Sequence, residues 1–127
     1  MILGILEEAR RRGFAEAPAW PKAEHRDIIA SARAVRERGA IPIIAEIKPS
    51  ALGRPLLPDE VAYYARAYAD NGACAISVLT EPSHFMGALQ NAGIARGAGL
   101  PVLRKDFIFD ERQLSEVQAD LVLLIAA

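Results

Sequence analysis

Three apolar runs in this chain each break off into charge, and that pattern narrows the possible folds more than any other feature. Residues 41–47 (IPIIAEI) run out into Glu46 and Lys48, residues 75–80 (AISVLT) into Thr80 and Glu81, and residues 101–107 (PVLRKDF) into Lys105 and Asp106. Runs this short and this rich in Ile, Val and Leu read as strands covered on both faces, as in a parallel sheet. A charge there costs several kcal/mol unless it is paired or faces a wet cleft. The charges are therefore predicted to gather at one rim. In parallel α/β folds the carboxyl ends of the strands surround a common mouth, where ligands and catalytic groups collect.

Composition bounds the rest. The chain has 127 residues, a formal net charge of −1, 52% hydrophobic residues and 24% charged ones, which suits a single globular unit with its own core. Near-zero charge, with no basic run beyond residues 10–12, gives no electrostatic footprint for nucleic acid or an anionic membrane, while a small anionic ligand stays open. The longest apolar stretch, 121–127, is too short to cross a bilayer. The N-terminus MILGILEEARRR mixes acid and base where a signal peptide needs an apolar core, so the expected location is the cytoplasm. The lone cysteine, Cys74 in GACAIS, reads as a small buried residue. His84 reads as a surface loop residue, and without a second ligand at metal spacing it predicts no zinc site.

The order of elements is helical, then alternating. Residues 2–12 predict an amphipathic helix stopped by Gly13; FAEAPAWP (14–21) breaks it, and 27–38 predicts a second helix with Ile28, Ile29, Ala32 and Val35 on one face. Then come a strand at 41–48, a helix at 58–71, a strand at 75–80, a loop, a short helix near 88–97, a strand at 101–107, a helix at about 110–118 and a strand at 121–126. The prediction divides the chain into an N-terminal helical segment, 1–40, and four βα units, 41–127. Such units favour either a (β/α)8 barrel or an open doubly wound sheet. The loop after the first strand, KPSALG, lacks G-x-G-x-x-G and G-K-[ST], which argues against a nucleotide fold, and polar residues at the ends of three strands are how a barrel assembles a site.

Side chains two apart on a strand share a face, so Glu46 pairs with Lys48, and Leu103 with Lys105 and Phe107. At one mouth two ammonium groups, a carboxylate and an aromatic ring would meet around a ligand, and a lysine held by a carboxylate is a usable proton donor. Phe85 and Phe107 would sandwich a flat ring, with Gly87 leaving space beside it; read without a ligand, the same two rings are core aromatics. Trp20, between two prolines, either packs over the mouth or anchors the N-terminal segment.

These residues together resemble one family, indole-3-glycerol phosphate synthase. The stretches that carry the resemblance are IIAEIK (43–48), AISVLTEPSHFMG (75–87), PVLRKDFIFDERQL (101–114) and ADLVLLI (119–125). The resemblance implies the N-terminal half of a (β/α)8 barrel with an extra N-terminal helical segment. It implies an activity that closes and decarboxylates an anthranilate-derived deoxyribulose phosphate in tryptophan biosynthesis, with no metal and no organic cofactor. By resemblance Lys105 is the general acid that protonates the substrate ketone, Glu46 orients the lysines, Lys48 holds a substrate anion, Phe85 and Phe107 bind the ring, Leu123 is an apolar wall, and Ser50 meets the anthranilate carboxylate.

The sequence departs from the family pattern in places. The loop after Lys48 is shortened around Ser50, and the segment between Asp110 and Asp120 is about one helical turn short. The family's catalytic glutamate, its asparagine and its later phosphate loops have no counterpart here. Two readings follow: the N-terminal half of a synthase, inactive alone, or an inert half-barrel that serves as a structural or assembly module. Either is expected to self-associate or to pair with a C-terminal half, because two edge strands and an apolar inner face would otherwise be exposed.

Overall fold

The computed structural model describes residues 2–13 and 25–125. Its centre is a four-stranded parallel sheet in the order β1-β2-β3-β4, formed by β1 (Ile44–Ile47), β2 (Ala75–Leu79), β3 (Val102–Lys105) and β4 (Leu121–Val122). Consecutive parallel neighbours require crossovers. Here α3 (Pro58–Asp70) joins β1 to β2, and a four-residue helix α4 (Pro82–Phe85) followed by α5 (Leu89–Arg96) joins β2 to β3. Two helices precede the sheet, α1 (Ile2–Arg12) and α2 (Ile28–Glu37).

Strand alternation sorts the side chains into two different faces. On the outer face Ile47, Ile76, Val78 and Val102 pack against Val61 and Ala65 of α3 and against Ala92 and Ala95 of α5, and this is the main core. The alanines let the helices approach the sheet closely. The inner face carries Glu46, Ser77, Leu103 and Leu121 in one register row, followed along the strands by Leu79 and Lys105. Among the described residues no helix layer covers this face over β1 and β4, and Ile44 stays half exposed. The expectation of strands buried on both faces therefore holds only for β2, all five of whose residues are buried.

Local chemistry explains the boundaries. Helix α3 starts at Pro58, which suits a first turn, and Glu60 reaches back to accept the Leu57 N–H at 2.8 Å while Arg54 grips the same carboxylate twice. That grip pulls the Glu60 carboxyl down to about 2. Helix α2 is capped by Asp27, whose carboxylate accepts the N–H groups of Ile29 and Ala30. Ile28, Ala32 and Val35 then pack on Cys74 and Ala75, whereas Ile29 points outward, contrary to the predicted face, because i, i+4 and i+7 define the buried stripe. At the opposite end of the sheet from the rim, Asp120 accepts the N–H groups of Arg26 and Val102 and pairs with Arg96. Burial alone would raise the Asp120 carboxyl, but these donors outweigh it and hold it below the usual carboxylate range.

Several predicted bounds change. The strands are shorter than read: 41–48 becomes Ile44–Ile47, 101–107 becomes Val102–Lys105 and 121–126 becomes Leu121–Val122. The loop after β2 contains α4, nucleated by the Glu81 carboxylate, which accepts three backbone N–H groups and is thereby consumed. His84 consequently sits on a helix, with Nδ1 3.5 Å from Glu8 of α1. The helix expected at 110–118 is only a 3₁₀ turn, Glu111–Ser115, which ends where the Gln113 carbonyl accepts both the Glu116 N–H at 3.2 Å and Arg104 Nη1 at 2.6 Å. A further 3₁₀ turn, Pro49–Leu52, follows β1. The break at 14–21 and Trp20 lie outside the described residues.

Candidate active site

The register brings the charged strand ends together. Leu79 of β2 pairs with Lys105 of β3, and continuing the β1–β2 ladder by one step puts Lys48 in the same row. Glu46 lies one step lower on the same face. Lys105 Nζ reaches back across β2 to donate to Glu46 Oε2 at 2.9 Å, and Ser77 Oγ on the intervening strand lies 3.4 Å from that same oxygen. Both partners are about a third exposed, so the pair borders solvent and is not a buried ion pair.

A cleft of about 110 Å³ opens beside this pair, lined by Lys48, Leu79, Glu81, Phe85, Lys105, Asp106, Phe107 and Ile125. The Lys48 ammonium stands 5.9 Å from the centroid of the Phe85 ring, near the outer limit for a cation–π contact. A cavity of roughly 150 Å³ encloses benzene, so this smaller cleft would enclose only part of a flat ring and leave the remainder on the open inner face. Its walls are also core. Phe107 is buried against Ile5 and Ala9 of α1, with Leu6, Phe85 and Phe109 around it, so the core and ligand readings of these aromatics meet in the same residues.

Lys48, Phe85, Lys105 and Phe107 are thus placed around one cleft, with Glu46 tethered to Lys105. Leu123 and Ser50 are not among its lining residues. Leu123 is held in line with β3 by its N–H to the Arg104 carbonyl, and Ile125, two residues on, supplies the wall instead. Ser50 lies in the 3₁₀ turn after β1, with a buried hydroxyl that makes no hydrogen bond. Gly87 does not leave space for a ligand: a methyl group there would run into the backbone of Leu79 and Thr80, so its lack of a side chain admits the end of β2.

The sequence reading missed the network behind the rim. Arg104 and Asp106 flank Lys105 and both are buried: Arg104 faces the outer layer, and Asp106, just past the end of β3, lies between Arg104 and the cleft it helps to line. Asp106 accepts from Thr80 Oγ1 at 2.7 Å, the Phe107 N–H at 2.8 Å, Arg104 Nη2 at 3.1 Å and Arg12 Nη2 of α1 at 3.1 Å. Burial pushes the Asp106 carboxyl up, but the Thr80 hydroxyl and the two guanidinium groups outweigh it and hold it below the usual range. The signal was available in R-K-D, since a charge on each side of an inward lysine must be paired inside the outer layer. Among the described residues no cluster of His, Cys, Asp or Glu is suited to hold a metal ion, and no helix is long and apolar enough to cross a membrane.

A parallel α/β sheet with a lysine–carboxylate pair, a second lysine and two aromatic rings at the carboxyl ends of its strands places the chain among the α/β proteins that gather polar groups at that rim. Comparison with known proteins narrows that class. The chain belongs to the indole-3-glycerol phosphate synthase family, whose model matches residues 5–127. It is 44% identical over 113 residues to the indole-3-glycerol phosphate synthase of Salinibacter ruber, covering 84% of this chain and 42% of that protein. It is 39% identical over 128 residues to that of Haloarcula marismortui, covering 98% and 46%, and 41% identical over 142 residues to that of Chlorobium phaeovibrioides, covering 99% and 54%. The chain spans about half the length of these relatives.

Proposed function

We propose that this chain is the N-terminal half of an indole-3-glycerol phosphate synthase barrel: an N-terminal helical segment, 1–40, and the first four βα units, 41–127. In this reading it carries the general acid of the reaction but does not turn over substrate alone. The observation that carries the reading is the 2.9 Å contact from Lys105 to Glu46 beside a small open cleft walled by Phe85 and Phe107. As the aromatic carbon of the anthranilate-derived substrate attacks the ketone carbon, Lys105 gives its proton to the ketone oxygen. Carbon dioxide then leaves, and loss of the resulting hydroxyl as water completes the indole ring. Glu46 orients Lys105, Lys48 holds a substrate anion near the Phe85 ring, and Leu123 and Ser50 contribute only from the margin of the cleft. The proposed setting is tryptophan biosynthesis in the cytoplasm.

Pairing belongs to the same proposal. Ile41 and Ile43 beside β1 and Leu124 beyond β4 are each more than half exposed, so apolar surface sits along both open edges of the sheet. A C-terminal half or a second copy would cover it. The second reading, an inert half-barrel that works as an assembly module, draws on this surface alone. The test is a pair of substitutions in the complete barrel. Lys105→Met should lower kcat by about 100-fold or more with the fold intact, and Lys48→Met should act mainly on KM. Unchanged turnover in Lys105→Met removes it from the mechanism.

A further inference from the structure

We infer that Arg104 is a positioning residue for the rim, fixing from behind the sheet the direction of Lys105 at the end of β3 and the course of the segment through Phe107 that follows it. Arg104 is 1% exposed, lines no part of the cleft and faces the outer layer. Its guanidinium donates to Thr80 Oγ1 at 3.3 Å, to the Gln113 carbonyl at 2.6 Å, to Asp106 Oδ2 at 3.1 Å and to Glu116 Oε2 at 2.7 Å. These partners are the end of β2 and three points along the loop that follows β3, so the loop winds around one cation. Gln113, fully buried, extends the grip by donating to the Phe107 carbonyl and accepting the N–H groups of Phe109 and Asp110.

The consequence for the cleft follows from alternation. Asp106 lies between Lys105 and Phe107, and its carboxylate is held at once by Arg104 and by the Phe107 N–H. With Arg104 pinned on the outer face, Lys105, the last residue of β3, is held to the inner one, and the Asp106 grip on the Phe107 N–H carries the restraint past the strand end. The charges add a constraint. Arg104 stands between two buried carboxylates, Asp106 and Glu116, and Arg12 brings the second cation from α1 to the other oxygen of Asp106. Without Arg104, Asp106 would lose one of its two cations and keep Arg12, and would turn toward it.

This inference rests on the proposed role of Lys105 only for its kinetic consequence, so the primary readout is independent of turnover. The chain's lysines are Lys22, Lys48 and Lys105, which makes Lys105 assignable in ¹³Cε-lysine-labelled protein by substitution of the other two. In the parent chain Glu46→Gln should shift the Lys105 signal. In Arg104→Met the Lys105 signal should move toward that of a free lysine and lose its response to Glu46→Gln, while Lys48 keeps its position. Arg104→Lys, which retains the charge but not the planar four-partner fork, should restore part of that response. In the complete enzyme, Arg104→Met should lower kcat about tenfold with little change in KM. If Arg104→Met does not fold, Gln113→Ala, which releases the loop and keeps the guanidinium, should weaken the Lys105 response to Glu46→Gln. An undiminished response in folded Arg104→Met, or in Gln113→Ala where that variant stands in, would overturn the proposal, whatever the turnover.

Discussion

Lys105 and Glu46 meet at 2.9 Å although 59 residues separate them and a whole strand, β2, lies between their own. The contact is possible because Ser77, the β2 residue level with Glu46, is small and leaves a trough across which the lysine reaches down to the carboxylate. Position 77 therefore shapes the site without carrying its charge.

If Glu46 orients Lys105, then Glu46→Gln should keep the fold, retain a weaker hydrogen bond and lower kcat about tenfold in the complete enzyme, less than loss of the lysine itself. Steady-state kinetics of the two variants side by side check the order. Glu46→Gln with parent kcat would mean that the ion pair is only a surface contact.

Gly87 and Gly93 should respond to alanine with opposite signs. A methyl group at Gly87 meets the backbone of Leu79 and Thr80, so Gly87→Ala should cost about 1–3 kcal/mol. At Gly93, inside α5, a methyl group meets nothing within 4 Å, and the substitution should stabilise by about 0.5–1 kcal/mol. Urea midpoints at constant slope measure both, and a stabilising Gly87→Ala would contradict the packing described here.

Asp106 and Asp120 make stability fall on the acid side. Both carboxyls lie below their ordinary value in the folded chain, so the unfolded chain binds protons more readily and stability rises with pH through that window. Their contribution is complete above an unfolded carboxyl pKa of about 4 and is lost as pH falls through the lowered folded values. Asp106→Asn should therefore be less stable at neutral pH yet lose stability less steeply between about pH 5 and pH 2. Urea titrations across that range check the slope, and a slope equal to the parent's would rule out this linkage.

The parts of the fold legible in the sequence were those set by local pattern. The order of strands and helices and the inward parity of Glu46, Lys48 and Lys105 follow from periodicities of two and 3.6. What was not legible depends on contacts across the chain. Helix α4 exists because Glu81 turns back on its own following residues, and the 3₁₀ turn after Asp110 is fastened at its end by Arg104, which comes from β3 to share the Gln113 carbonyl with the Glu116 N–H. Ile125 replaces Leu123 at the cleft for a related reason: the two share a face, and the row at which the cleft opens is fixed by the register of four strands together. The family resemblance supplied the roles proposed for Glu46, Lys48 and Lys105, whereas the buried cluster of Arg104, Asp106 and Glu116 answers to no short motif.

In the proposed function this chain supplies the acid half of a synthase site and needs a second half to use it. The most direct measurement is turnover of the anthranilate-derived deoxyribulose phosphate by purified residues 1–127, alone and mixed with the C-terminal half of a family relative, with sedimentation run on the same samples. The account predicts a self-associating, inactive chain alone, activity on pairing with the C-terminal half, and loss of that activity in Lys105→Met. A compact monomer that turns over substrate by itself, or a paired complex indifferent to Lys105→Met, would contradict it.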